Sequence, residues 1–153
     1  RPDGVTIGKA LSGGFYPVSA FLAKAEVMDV FTPGIHGSTY GGNPLACAVG
    51  IASLDVLVEE KLVEHAAELG VHLDARLKAI RSPLVKETRC LGLWAGVELV
   101  HEAGGARKYC HALKDRGLLC KDTHVNTIRL APPLVITREQ LDWAVDQIEA
   151  VLA

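Results

Sequence analysis

Three short stretches carry residue types suited to chemistry. Lys9 stands between Gly8 and "ALSGG", at the end of a β-compatible run and with no carboxylate close by in sequence. Buried there, its amine would lose its proton readily and attack carbonyls; the plainer alternative is a solvated loop lysine, since lysines are mostly exposed. In "HGSTYGGNP", residues 36–44, Ser38 and Thr39 offer hydroxyl donors. Gly37, Gly41 and Gly42 let backbone amides approach a ligand, and a helix N-terminus follows at Pro44. That combination suits a phosphate. The segment lacks G-x-x-x-x-G-K-[ST], so a simple glycine-rich turn is the competing reading. Arg129 lies inside the apolar run "IRLAPPLVI", where a guanidinium calls for an anionic partner and its planar fork matches a carboxylate. An edge-strand arginine snorkelling to water is the alternative there.

The elements that must hold these residues follow from local pattern. "GVTIG" predicts a strand that delivers Lys9 to a strand-to-loop corner, because Gly13 and Gly14 stop any helix begun at Lys9. "YPVSAFLAK" predicts β structure and "AEVMDVFTPG" a short helix closed by Pro33-Gly34. Asn43 as N-cap and Pro44 as first helical residue open a helix through "LACAVGIASLDVLVEE". A second, amphipathic helix places Leu62, Ala66, Leu69, Leu73 and Leu77 on one side. The alternation in residues 84–100 predicts strands about a glycine, and "ARKYCHALKDRG" a helix closed at Gly117. Residues 118–136 read as strand, polar turn, strand and a Pro-Pro break, and Thr137 with Gln140 caps the last helix. The order is that of an α/β or α+β chain.

Composition narrows the classes of function. Sixteen Lys plus Arg against eighteen Asp plus Glu give a net charge of −2, and no basic block favours nucleic acid or an anionic membrane. No apolar run reaches the roughly 18–20 residues of a membrane span, and residues 1–15 lack a signal-peptide layout. A cytoplasmic setting is therefore expected. Cys47, Cys90, Cys110 and Cys120 form no Cys-x-x-Cys pair, which predicts buried, reduced thiols and no metal site.

An amine nucleophile, a phosphate cradle and a carboxylate clamp together describe a pyridoxal phosphate enzyme acting on amino acids. "GKALSGGFYPVSAFLA" resembles the lysine segment of the class III, fold type I aminotransferases. "HGSTYGGNPLACAVG" resembles their phosphate loop, and "GLLCKDTHVNTIRLAPPLVIT" their substrate-arginine segment. Tyr16-Pro17-Val18-Ser19 and GLL-x-K-x-T-H look most like the members acting on ornithine, with those acting on acetylornithine next. The resemblance implies that residues 1–55 are the end of the large cofactor domain and 56–153 the small carboxyl-terminal α+β domain. It implies that Lys9 carries pyridoxal 5'-phosphate covalently and moves the substrate proton, and that Ser38 and Thr39 bind the cofactor phosphate, typically that of the other subunit. Arg129 would hold the α-carboxylate of glutamate or 2-oxoglutarate. Amino acid and 2-oxo acid substrates, and a homodimer or an amino-terminal half as partner, come with it.

The family's acidic partner for the cofactor ring, its stacking aromatic and its first phosphate turn belong upstream of the lysine, before residue 1. The 153 residues alone are therefore expected not to be a competent transaminase, and a non-catalytic phosphate-binding module is the alternative. Only the second part is expected to form its own core, the first leaving apolar surface exposed.

Overall fold

In the computed structural model, which describes residues 1–153, the helix start read at Asn43 forms. Its Oδ1 accepts from the Ala46 N–H at 2.9 Å, and Pro44 occupies a position where no N–H is needed. The helix runs Pro44–Glu59. Ahead of it, two four-residue strands, β1 (Gly4–Ile7) and β2 (Ala20–Ala23), pair antiparallel, followed by a single helical turn, α1 (Ala25–Met28). β2 is shorter than the apolar run suggested because the run starts at Pro17, which has no N–H to give a ladder. The long helix is α2. The division between compact units falls at Lys61, beyond residue 55, giving Arg1–Lys61 and Leu62–Ala153.

The first unit buries little. α2 leaves Leu45, Ile51, Leu54, Val56 and Val58 exposed, and Phe15, Val30, Ile35 and Tyr40 are open as well. An apolar helix without a polar face ordinarily sits inside a larger assembly, and a two-stranded hairpin is marginal by itself.

The second unit has a core of its own. An antiparallel sheet of order β3-β4-β6-β5 is built from β3 (Val85–Leu91), β4 (Trp94–Leu99), β5 (Lys121–Thr123) and β6 (Thr127–Leu130). Three helices cover one face: α3 (Leu62–Ala79), α4 (Arg107–Asp115) and α5 (Arg138–Leu152). The strand alternation sends Ala95, Val97, Leu99, Ile128 and Leu130 inward, where they meet Leu69, Leu73 and Leu77 of α3, Leu113 of α4 and Leu141, Val145, Ile148 and Leu152 of α5. Each fully buried Leu or Ile contributes about 2 kcal/mol of apolar transfer. α5 opens on the expected capping box, with Thr137 accepting from the Gln140 N–H and Gln140 accepting from the Thr137 N–H. This is a two-layer α+β unit.

All four cysteines are free thiols. Cys110 is buried and Cys90 and Cys120 half-buried, but Cys47 is exposed on α2, a correction to the expectation of burial that follows from the missing cover on that helix. Burial, with Cys110 alongside, pushes the Cys120 thiol up to about 12.

α3 and α5 are joined at the surface. His72 Nε2 meets Asp142 Oδ1 at 2.8 Å, Arg76 bonds Asp142, and Arg76 Nη2 donates to Asp146 at 2.6 Å. The His72 hydrogen bond first, then Arg76, holds the Asp142 carboxyl below the usual aspartate range. The unfolded chain, titrating near pH 4, then takes up its proton before the folded one does, so this stabilisation is present above about pH 4 and lost as pH falls below it. Unfolding midpoints measured between pH 7 and pH 2.5 should drop below pH 4, and Asp142→Asn should flatten that drop.

Candidate functional site

Lys9 begins a single 3-10 turn, Lys9–Ser12, directly after β1. Its φ is 53°, a left-handed conformation that costs a non-glycine residue about 1–2 kcal/mol. Strain of this kind concentrates at functional positions, and no sequence pattern announced it. The turn is held by buried Ser12, whose Oγ accepts from the Tyr16 N–H at 3.3 Å. Gly13, at φ 61°, lies where a side chain would press on Ser53 Oγ of α2 at 3.2 Å. The Lys9 side chain is exposed. The burial invoked to activate its amine is therefore not supplied by these residues.

Lys9 lines a cleft of about 460 Å³ with Pro17, Ser19, Ser38, Gly41 and Asn43. The glycine-rich segment is closed on itself there. Ser38 Oγ accepts from the Gly41 N–H at 2.9 Å, and Asn43 Nδ2 donates to the Tyr40 carbonyl at 2.9 Å. Gly41 is required, because a Cβ would stand 2.9 Å from the Ser38 side chain, and Gly42 turns at φ 70°. The Ser38 hydroxyl still has a proton to donate. Two of the expected residues, Lys9 and Ser38, are thus brought together, whereas Thr39 is exposed and outside the cleft lining.

Arg129 belongs to the second unit. It sits on β6, an interior strand between β4 and β5, which corrects the edge-strand alternative. Its neighbours Ile128 and Leu130 face the core, so Arg129 faces away from the helices and is exposed. It lines a cleft of about 390 Å³ with Arg89, Trp94, Gly96, Thr123 and His124. Thr123 and His124 close the GLL-x-K-x-T-H stretch read from sequence, whereas Arg89, Trp94 and Gly96 were not singled out, although the alternation in β3 and β4 places them on the outer face. Arg89 is neutralised by Glu87 and by Glu98 at 2.7 Å. Glu98 is held below the usual carboxylate range chiefly by the Lys86 hydrogen bond. Arg129 has no ion-pair partner. An apolar groove of about 620 Å³ along Leu118, Pro133, Ile136 and Trp143 offers few polar groups and no nucleophile.

The mixed helix-and-strand chain, with a lysine-lined cleft in its first unit and an arginine-lined cleft in its second, has the fold of the fold type I transferases. The aminotransferase class-III family model matches residues 1–152, and the chain belongs to that family. It is 57% identical over 152 residues to the ornithine aminotransferase of Halalkalibacterium halodurans and 54% identical over 151 residues to that of Bacillus subtilis. In both cases 99% of this chain is matched to 37% of the relative's length. Among solved structures it is similar to the Plasmodium falciparum ornithine delta-aminotransferase (TM-score 0.94, 45% identity, 99% of this chain and 40% of that one). It is also similar to the acetylornithine aminotransferase of Elizabethkingia anophelis (TM-score 0.91, 49% identity, 99% and 41%).

Proposed function

We propose that these residues form part of a pyridoxal 5'-phosphate-dependent aminotransferase that moves the δ-amino group of ornithine to 2-oxoglutarate, yielding glutamate semialdehyde and glutamate. The observation that carries the reading is the cleft uniting the Lys9 amine, the Ser38 hydroxyl and the Gly41–Gly42 turn at the start of α2. Its donors suit an aldehyde bearing a phosphate: an amine for the carbonyl carbon, hydroxyl and backbone donors for the oxyanions. The cofactor, when bound, supplies the electron sink. Lys9 would hold it covalently and then carry the proton released from the substrate carbon. Ser38 and Thr39 would bind the cofactor phosphate, typically that of the other subunit. Arg129 would grip the substrate carboxylate through two parallel hydrogen bonds.

The names of the relatives favour ornithine over acetylornithine as amino donor, and acetylornithine is the second reading because one solved neighbour carries that name. The uncovered apolar side of α2 suits a second subunit or an amino-terminal half as partner, and the chain alone is proposed to be inactive. Four free thiols suit a reducing cytoplasm.

The test uses the complete enzyme, this chain together with the rest of its polypeptide. Ornithine should donate to 2-oxoglutarate at least tenfold better than acetylornithine. Arg129→Ala should raise the KM for 2-oxoglutarate about 100-fold, the worth of a lost bidentate charge-assisted contact. Transfer from neither amine, or an unchanged KM in Arg129→Ala, would contradict the reading.

A further inference from the structure

The Lys9–Ser12 turn is fastened at both ends by glycines that touch other elements of the first unit. Before it, a Cβ on Gly8 would stand 3.2 Å from Ser19 Cβ, at the entry to β2. After it, Gly13 turns left-handed at φ 61°, and a Cβ there would stand 3.2 Å from Ser53 Oγ and 3.9 Å from Ser53 Cβ on α2. Ser53 Oγ donates to the Val49 carbonyl at 2.8 Å, one turn back along the helix, so that oxygen is held in place. Ser53 belongs to the stripe of α2 that the first unit covers. Ala46, Gly50 and Ser53 recur at helical spacing, the first two buried and Ser53 half-buried, while the other sides of the helix are open.

Between the two contacts the turn is braced from within. The Leu11 N–H donates to the Gly8 carbonyl at 3.2 Å, the Gly13 N–H to the Ala10 carbonyl at 2.9 Å and the Phe15 N–H to the Ser12 carbonyl at 3.1 Å. A short braced turn moves as a body, so a displacement at Gly13 is carried back to Lys9, whose own left-handed backbone has little slack to absorb it. The glycine-rich segment reaches α2 elsewhere, at the Asn43 cap. Only Ser53 atoms lie within 4 Å of a Cβ placed on Gly13, so a change there leaves the Ser38–Gly41 closure untouched.

We propose that Gly13 is a positioning residue: its bare Cα, seated on Ser53, sets the place of the Lys9 amine and contributes nothing to the phosphate cradle. The proposal rests on the reading of Lys9 as the residue that binds pyridoxal 5'-phosphate. That compound carries an aldehyde to which the amine bonds with loss of water. Pyridoxamine 5'-phosphate carries an amino group in place of the aldehyde and is held by the remaining groups alone. A shift of Lys9 should therefore weaken the first and spare the second.

The experiment measures the dissociation constants of both compounds by equilibrium dialysis against the complete enzyme, together with kcat and the thermal midpoint without cofactor. Gly13→Ala should lower the affinity for pyridoxal 5'-phosphate and kcat each by about tenfold, a fraction of what a misplacement of one ångström costs, and leave the affinity for pyridoxamine 5'-phosphate within twofold. Gly14→Ala is the control: Gly14 is also left-handed, at φ 84°, but a Cβ there meets nothing within 4 Å. It should lower the thermal midpoint through backbone strain alone and keep the parental preference for the aldehyde. In a Ser53→Ala background, where the nearest atom to the added methyl is Cβ at 3.9 Å, the Gly13→Ala loss should shrink to about twofold, the coupling expected of groups in contact. Equal weakening of both compounds in Gly13→Ala, or a loss of the same size with and without Ser53 Oγ, would overturn the positioning role while leaving Lys9 as the cofactor lysine. If Lys9→Ala itself keeps the preference for the aldehyde over the amine, both readings fall.

Discussion

Lys9→Ala in the complete enzyme is expected to reduce amino-group transfer by at least 10³-fold and to abolish covalent retention of pyridoxal 5'-phosphate after borohydride reduction. The rate loss combines two functions of one amine: the covalent hold on the cofactor and the proton transfer, the latter alone worth about 10²–10⁴. Alanine is an informative replacement because Lys9 sits at φ 53°. Neither lysine nor alanine is at ease in that conformation, so backbone strain is nearly the same in both and the difference reports on the amine. Glycine would not separate the two effects, since it would also relieve the strain. Mass spectrometry of the reduced protein gives the covalent readout independently of turnover. A rate within tenfold of the parent, or a cofactor-sized mass still on the alanine chain, would remove Lys9 from the chemistry. The non-catalytic alternative makes the opposite forecast: phosphate binding unchanged in Lys9→Ala and lost in Ser38→Ala.

What the sequence made legible were features whose causes are local. Asn43-Pro44 and the Thr137–Gln140 pair announced helix starts because a cap is satisfied within three residues of itself. The leucine ladder of α3 announced a buried stripe because helical periodicity needs no partner to be seen. The site was legible only in part. Lys9, Ser38, Thr39 and Arg129 stood out by type and setting, but the closure of Ser38 onto Gly41, which puts Ser38 rather than Thr39 in the cleft lining, depends on the turn's own hydrogen bond and was not legible. The left-handed backbone at Lys9 and Val125 was invisible because neither residue favours it. The Arg129–Lys121 pairing depends on the register between two strands across a three-residue turn, and register is set by which faces are buried rather than by either strand alone. Exposure of Cys47 and of the α2 apolar side reflects the same limit: a helix carries no local mark of what covers it.

Gly70→Ala is expected to destabilise the second unit by about 2 kcal/mol net, against the sign that helix propensity gives. Within a helix, alanine for glycine ordinarily gains about 1 kcal/mol, and at Gly50 of α2 an added methyl would meet nothing within 4 Å. At Gly70 of α3 the new Cβ would lie 2.5–2.6 Å from the backbone of Gly92, and the obstacle is main chain rather than a side-chain end that swings away. Gly92 cannot retreat cheaply. It is the φ 56° residue of the turn between β3 and β4, the flanking Leu91 and Trp94 are paired across the ladder, and Leu93 beside it is buried in the core. Cys90 Sγ also bridges the carbonyls of Gly70 and Gly92, at 3.7 and 3.2 Å. Either α3 moves off the sheet, opening space around Leu69 and Leu73, or the hairpin shifts and strains its turn. Both routes fall in the range seen for overpacking, about 1–3 kcal/mol and occasionally more, and both exceed the propensity gain. The two tryptophans of the chain, Trp94 and Trp143, are both in this unit, so their fluorescence follows its unfolding without interference from residues 1–61. The thermal midpoint read that way should fall by roughly 10 °C or more. A midpoint equal to or above the parent would mean that the α3–hairpin contact yields, and that the close approach of Gly70 to Gly92 does not set the spacing between helix and sheet.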